Sequence, residues 1–211
     1  MKKPYTYDSI QYARRRHRTD TIVMANATRS LLRKGDNFNV TVLEAERQRI
    51  STLLRDNGYY YFRLEYITYQ ADTVRTPGKV SLKVISSNDV PREALRPWSI
   101  GNITVALNGY NNEPPTDTLL YKDLTILYEG KLRVRPAVLY RKLTFKPGER
   151  YSNTKQMETQ TALSRLGIFK YAEMQYMPQD TTRRCKTLDL RINTAYDLPL
   201  DGELEFNVTT K

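Results

Sequence analysis

Few residues of this chain are of the types that carry out nucleophilic, acid–base or metal chemistry. Its 211 residues include one histidine, His17, and one cysteine, Cys185. The sequence therefore has no His or Cys cluster of the kind that binds zinc, and it cannot form an internal disulfide. Cys185 lies between Arg183-Arg184 and Lys186, a cationic setting of the kind that activates thiols. We interpret it instead as a free thiol without a chemical role.

The carboxylates give no pattern of paired acids. Asp8, Asp36 and Glu149 are the candidate acids, but each stands at a predicted strand end or turn, where a structural role explains it better. The sequence contains no Gly-rich phosphate loop, no HExxH motif and no nucleophile elbow. We therefore predict that the chain is not an enzyme and that it has no catalytic residue, no cofactor and no metal ligand.

Basic residues are in excess. The formal net charge is +11, and nine Lys or Arg oppose two Asp in the first 35 residues. The densest cluster is Arg14-Arg15-Arg16-His17-Arg18, directly after the first predicted strand. Such a cluster suits nucleic acid, anionic lipid headgroups or simply a solvated loop. No recognised nucleic-acid module accompanies it, so we prefer the solvated loop and keep a basic tandem α+β nucleic-acid-binding module as the alternative.

Composition indicates a folded chain, with 39% hydrophobic and 27% charged residues. The sequence has no apolar run of 18 residues and no apolar leader, so it is predicted neither to span a membrane nor to carry an export signal. Met1-Lys2-Lys3 runs directly into a strand pattern, which indicates a fragment with an added start.

The hydrophobic framework of the chain occurs twice. Residues 4–12 correspond to 97–105, 35–38 to 148–151, 58–60 to 167–169, and 80–84 to 188–192. The offsets are 93, 113, 109 and 108, so the second copy gains about twenty residues after its first strand. A duplication of this kind predicts two units that each fold around their own core.

Both units have the predicted order strand, helix, helix, strand, strand. In the first unit these elements cover residues 4–12, 20–34, 41–57, 59–70 and 79–86; in the second they cover 98–107, 136–145, 154–166, 168–177 and 187–193. The apolar phase of the first strand switches between Tyr7 and Ile10, which predicts a bulge. Thr41 and Glu44 form a capping box, while Gly35, Gly58 and Gly167 are predicted to end helices.

These elements predict an α+β fold made of two units, each a three-stranded mixed sheet with two helices on one face. The predicted boundaries are 1–90, 91–196 and a tail at 197–211, with a surface loop and hairpin inserted around residues 108–130. The linker over residues 87–95 is short, so relative motion is expected to be restrained. In the tail, Leu204, Phe206 and Val208 alternate with polar residues, as in the first strand of a membrane barrel.

This element order, with Gly and an aromatic residue closing the second helix, resembles the POTRA domain. POTRA domains precede the β-barrel of outer-membrane assembly factors of the BamA and TamA superfamily. The segments that carry the resemblance are 34–38, 57–60, 66–72, 146–151 and 166–169. The first unit is especially similar to TamA-related lipoproteins of the Bacteroidetes type.

The resemblance implies the periplasmic part of an outer-membrane protein from a Gram-negative bacterium. Its implied partners are unfolded outer-membrane protein substrates, accessory assembly subunits and the protein's own C-terminal β-barrel, with no nucleic acid and with membrane contact only through the barrel. POTRA domains often bind by adding a strand to an exposed sheet edge, whose free N–H and C=O groups pair with any extended chain.

The candidate binding edge is the aromatic-rich segment 59–70. Tyr59, Tyr61, Arg63 and Tyr69 are its more exposable side chains, whereas Tyr60 and Phe62 are predicted to pack in the core. A third interpretation is a surface adhesin or structural repeat protein, which would have the same fold but no barrel.

Overall fold

The computed structural model describes residues 4–12, 17–180, 182 and 184–197. The strands found in these ranges are β1 (Thr6–Tyr12), β2 (Ile67–Asp72), β3 (Lys79–Ser86), β4 (Ser99–Asn108), β5 (Asp117–Tyr121), β6 (Leu124–Tyr128), β7 (Phe169–Pro178) and β8 (Thr187–Tyr196). The α-helices are α1 (Arg18–Ala25), α2 (Val40–Asp56), α3 (Pro136–Lys142) and α4 (Asn153–Ser164). The predicted barrel strand with Leu204, Phe206 and Val208 lies outside the described residues.

The first sheet has the strand order β1-β3-β2. β1 runs parallel to β3, and β2 runs antiparallel to it. Alternate residues of β3 point into a core that the second helix covers: Leu82 and Val84 pack with Ile50 and Leu54 of α2. This apolar layer is what the alternation in β3 and the helical spacing in α2 predict.

The second sheet repeats this arrangement and extends it. Its order is β5-β6-β4-β8-β7, in which β4, β8 and β7 take the places of β1, β3 and β2. The predicted α+β class, with two helices beside each mixed sheet, is confirmed. The second sheet has five strands where three were expected, because the inserted hairpin β5–β6 joins it through a parallel pairing of β6 with β4.

The predicted bulge in the first strand is present in both units. The register of β1 against β3 shifts between Tyr7 and Ser9, and that of β4 against β8 shifts between Ile100 and Ile103. The extra backbone residue changes which side chains face the core. Tyr7 before the shift and Ile10 after it thus both reach the same apolar cluster.

Helix α1 is shorter than predicted. It ends at Ala25 and is followed by a 3-10 turn, Ala27–Arg29, although the apolar spacing continues to Leu32. A buried carboxylate on α2 holds the segment that follows: the backbone N–H of Leu31 donates to Glu46 Oε2 at 2.9 Å. That donor is therefore not available to an i to i−4 helical bond.

Helix α2 begins slightly earlier than its predicted capping box. Asn39 is the N-cap, and its side-chain oxygen accepts from the N–H of Thr41 at 2.8 Å. Glu44 does not reach back to the start of the helix but pairs with Arg47 at 3.0 Å. Asparagine is among the best N-cap residues, so it takes the role that the sequence assigned to Thr41.

Gly58 and Gly167 have the positive φ predicted for them, +98° and +66°. They offer a matched pair, because a Cβ on Gly58 would lie 3.2 Å from Pro97 Cβ and 3.3 Å from Trp98 O, whereas a Cβ on Gly167 would meet nothing within 4 Å. We expect Gly167→Ala to lower the free energy of unfolding by about 1 kcal/mol through backbone strain alone. Gly58→Ala adds tight contacts with Pro97 and Trp98, which would have to shift, and should cost roughly 2 to 3 kcal/mol.

Urea unfolding followed by circular dichroism checks both glycine variants. Equal losses would show that the contact of Gly58 with residues 97 and 98 contributes nothing, and unchanged unfolding in both would contradict the helix-cap interpretation.

Candidate functional site

Strand β2 presents an open edge. It pairs with β3 along its whole length, from Ile67 opposite Ser86 to Asp72 opposite Ser81. Within the described ranges no strand pairs with its other side. The outward N–H and C=O groups of such an edge can bind an extended chain through the main chain alone. The edge is shorter than predicted, since residues 59–66 form turns and a 3-10 segment, Leu64–Tyr66, in place of a strand.

Two of the four predicted side chains, Arg63 and Tyr69, lie near this edge. Arg63 is exposed, directly before the 3-10 segment. Tyr69 is half-buried on the side of the sheet that faces α2, where its hydroxyl donates to Leu43 O at 2.8 Å and Arg47 lies 5.3 Å from its ring centroid. Burial raises the pKa of Tyr69 above its ordinary value. Peptide binding by these residues stays a prediction.

The expected exposure of Tyr59 is wrong, and Tyr61 is half-buried. Tyr59 is buried in the core of the first unit, and the ring of Tyr61 packs edge-on against Trp98 at 5.2 Å. The predicted core positions of Tyr60 and Phe62 fit the structure, with Phe62 buried in the same cluster as Tyr59. The aromatic segment thus lies at the junction of the two units and not along the edge of the sheet.

The junction is built on an aromatic cluster. The ring of Tyr60 lies 4.9 Å from that of Tyr151 and 5.1 Å from that of Tyr176, both in the second unit. Burial raises the pKa of Tyr151 to about 12. At the same junction the backbone N–H of Trp98 donates to Gly58 O at 2.8 Å. These contacts hold Gly58 and Tyr60 against the second unit, and the chain joins the first sheet at Ile67.

A carboxylate completes the junction by capping a helix of the other unit. Asp56, at the end of α2, accepts from the N–H of Thr154 at 2.7 Å and from the hydroxyls of Thr154 and Ser152 at 2.9 and 3.0 Å. These donors are in the first turn of α4, where N–H groups lack helical partners and a negative charge is favourable. Beside it, Arg55 Nη2 donates to the Tyr151 hydroxyl at 2.7 Å.

Sequence reasoning found the ends of both helices but missed this contact. Ser152, Thr154 and Asp56 carry ordinary capping signals for their own helices, and nothing in the spacing indicates that the carboxylate of one serves the other. The short linker was the available signal, because it leaves the two helix ends little room to separate.

Two solved structures identify the fold. BamA from Haemophilus ducreyi, in a crystal structure lacking POTRA domains 1–3, matches with a TM-score of 0.60 at 15% sequence identity, over 92% of this chain and 29% of that one. POTRA domains 3–5 of BamA from Haemophilus influenzae match with a TM-score of 0.56 at 13% identity, over 90% of this chain and 61% of that one. This chain has the POTRA fold.

The chain therefore spans less than two thirds of the length of either BamA structure. No protein-family model matches the sequence. No curated protein matches it either. The likeness to BamA lies in the POTRA architecture, which covers both sheets and the helices beside them.

In both POTRA units the loop between the two helices pairs with the outer side of the first strand. In the first unit Gly35 N donates to Tyr7 O at 2.8 Å, and Tyr7 N donates to Asp36 O at 2.9 Å. In the second unit the loop at Gly148-Glu149 makes the same two bonds with Ile100, at 2.8 and 2.7 Å. The start of each first strand is thus protected by its own unit.

The candidate acids of the POTRA units are not brought together. Asp36 and Glu149 occupy equivalent loops in different units, and Asp8 lies 3.8 Å from Lys79 on the first sheet. Glu149 pairs with Lys155 at 2.5 Å, and this hydrogen bond holds the pKa of Glu149 below its ordinary value. Asp8 and Glu149 each lie beside a lysine, and Asp36 bonds to the first strand through its backbone, in keeping with strand-end and turn roles.

The remaining chemical candidates have structural surroundings as well. Cys185 is buried beside Trp98 and Leu188, with its Sγ 3.4 Å from Thr187 O. The backbone N–H of His17 donates to Asp20 Oδ2 at 3.1 Å at the start of α1, while residues 14–16 of the basic cluster lie outside the described part. Where the chain is described, no three His, Cys, Asp or Glu residues converge to hold a metal. None of the helices described is both long and apolar enough to cross a membrane.

Proposed function

We propose that this chain is a periplasmic polypeptide-binding scaffold of an outer-membrane protein assembly or translocation factor in a Gram-negative bacterium. Its two POTRA-like domains would comprise residues 1–90 and 91–196. The observation that carries the proposal is the open edge of β2 in a chain with the POTRA fold. The POTRA domains named in both solved structures belong to BamA, which supports a role in the same kind of machinery.

Strand addition at β2 (Ile67–Asp72) is the proposed mode of binding. Main-chain pairing supplies affinity regardless of the sequence of the bound segment, which suits a scaffold that must receive many unfolded outer-membrane proteins and accessory subunits. Of the predicted set, Arg63, which is exposed, and Tyr69, which belongs to β2 itself, are the residues proposed to contact such a segment. The junction between the units would hold the second unit, and any barrel joined to it in a longer parent protein, at a fixed position relative to this edge.

Binding of a synthetic peptide with alternating apolar and polar residues tests this function. We expect N-methylation of alternate peptide amides to weaken binding by about tenfold or more, because each methyl group removes a main-chain hydrogen bond and adds a clash. Exchanging apolar side chains for one another should change the affinity by less than about threefold. The measurement is fluorescence anisotropy with the labelled peptide and the full chain.

Equal tolerance of N-methylation and side-chain exchange would overturn strand addition. A random oligonucleotide provides the control for charge. Salt-sensitive oligonucleotide binding together with no peptide binding would instead favour the basic nucleic-acid-binding module.

A further inference from the structure

The two POTRA units differ at the outer edge of their first strands. In the second unit β4 pairs with β6 over four residues: Ile103 with Leu124, Thr104 with Thr125, Val105 with Ile126, and Ala106 with Leu127. At the offset of 93 residues the equivalent positions in the first unit begin at Ile10, Gln11 and Tyr12. β1 pairs with β3 on one side, and no described strand lies against these three residues on the other.

The equivalence of the two edges rests on pairing and not on sequence alone. Ile10 lies opposite Leu82 of β3, and Ile103 lies opposite Leu190 of β8, the residue that corresponds to Leu82. Before the bulge, Tyr7 and Ile100 make the same bonds to their loops. The loop therefore closes the first part of each edge, and among the described strands the part after the bulge is paired only in the second unit.

Burial of the side chains shows what is missing at β1. Ile103 and Val105 are buried, because Leu124 and Ile126 of β6 complete the apolar layer beside them. Ile10 and Tyr12 point into the core of the first unit in the same way but are only partly buried. An added strand with two apolar residues at alternate positions would give them the cover that β6 gives their counterparts.

This edge is already held in shape. The hydroxyl of Tyr12 donates to Glu46 Oε1 at 2.9 Å, and Arg49 holds the same carboxylate through two hydrogen bonds of 2.7 and 2.8 Å. The ring of Tyr12 is therefore fixed before anything binds. A rigid edge loses little conformational freedom on binding, which favours association.

We propose that the outer edge of β1 at Ile10, Gln11 and Tyr12 binds an extended polypeptide segment, parallel to β1, with apolar residues at alternate positions. This proposal rests on the polypeptide-binding function above and adds an edge, an orientation and a register to it. The register follows from β6: the residue opposite Gln11 corresponds to Thr125, and its neighbours on either side are apolar, as Leu124 and Ile126 are. The β2 edge is a separate surface on the far side of the first sheet.

Site-directed disulfide formation tests the register with a peptide of the sequence of residues 122–129. The peptide carries Thr125→Cys. Two variants of the full chain are compared, both with Cys185→Ser: one carries Gln11→Cys on β1 and the other Gln70→Cys on β2. Both glutamines are exposed. The β4 edge is already occupied by β6, so the peptide must find another. We expect about tenfold more cross-linked product at Gln11→Cys than at Gln70→Cys.

The outcomes separate this proposal from the function on which it rests. Cross-linking at Gln70→Cys alone would overturn the β1 site and leave strand addition at β2 intact. If no cross-link formed at either position and the peptide did not bind, both the β1 site and the polypeptide-binding function would be overturned. Disulfide-linked protein dimers through Gln11→Cys that exclude the peptide would overturn the proposed occupant in favour of a second copy of the chain.

Orientation is measured with a nitroxide label on either end of the same peptide. A label at its N-terminus should broaden the amide resonance of Ser9, and a label at its C-terminus should not, because a parallel strand places its N-terminus near the start of β1. The reverse pattern would overturn the parallel arrangement.

Discussion

Replacing Glu46 by Ala is expected to lower the free energy of unfolding by about 3 to 5 kcal/mol, the range found when one partner of a buried ion pair is removed. The side chain of Glu46 is 0% exposed and pairs with Arg49 at 2.7 Å. It also accepts from the Tyr12 hydroxyl and from the N–H of Leu31. One carboxylate thus joins α2 to β1 and to the segment after α1, and its loss leaves all of these donors unpaired.

Glu44→Ala, on the same helix, is the matched control. Glu44 also pairs with an arginine three residues on, Arg47, but its side chain is 53% exposed. A pair in this position contributes about 1 kcal/mol or less. Urea unfolding of both variants measures the difference, and similar losses would show that burial and the extra donors at Glu46 add nothing.

The contribution of Glu46 should also depend on pH. Burial alone raises its pKa, but the hydrogen bonds from Arg49 and Leu31 and the charge of Arg49 outweigh burial and hold the pKa below its ordinary value. A carboxylate with a lowered pKa in the folded state stabilises the fold above its unfolded pKa of about 4.3, and the stabilisation is lost as the pH falls through the folded value. The gap between wild type and Glu46→Ala is therefore expected to narrow below about pH 4.

Trp98→Ala is expected to cost about 3 to 5 kcal/mol, because it removes a large buried side chain from the junction. Trp98 is 2% exposed; it packs against Tyr61, Cys185 and Leu188, and its Nε1–H donates to Glu93 O at 3.0 Å. The contacts lie in both units, so the loss should appear in the thermal unfolding of the chain as a whole.

The duplication provides the control for Trp98. Tyr5 follows Pro4 as Trp98 follows Pro97, but Tyr5 is 47% exposed. Tyr5→Ala is expected to change the free energy of unfolding by about 1 kcal/mol or less. If Tyr5→Ala and Trp98→Ala lowered the melting temperature equally, the cost would come from the strand position they share and not from the junction.

Local patterns predicted much of the fold. The element order, the bulge after Tyr7 and the positive φ of Gly58 and Gly167 were all visible, because each depends on residues within a few positions of one another. The repeat strengthened these predictions, since a pattern that occurs twice in the same order is seldom accidental.

The features that the sequence did not predict depend on distant partners. The segment after helix α1, predicted to be helical, is instead held by a hydrogen bond from Leu31 to Glu46, 15 positions away. Tyr59 and Tyr61 were expected at an edge, but Tyr59 packs in the core of the first unit and Tyr61 packs against Trp98. The pairing of the inserted hairpin with β4 depends on an edge that only the folded second unit forms.

The cap that Asp56 provides for α4 affects how the chain folds and unfolds. Asp56 precedes Thr154 by 98 positions, so during synthesis the capping carboxylate emerges well before the helix that needs it. A truncated protein that began after residue 56 would keep the Ser152 cap on the N–H of Lys155 but would form α4 without this acceptor for the N–H of Thr154, at a cost of about 1 kcal/mol. With the aromatic contacts at Tyr60 added, neither half should melt independently of the other, and heating should give one cooperative transition in place of two.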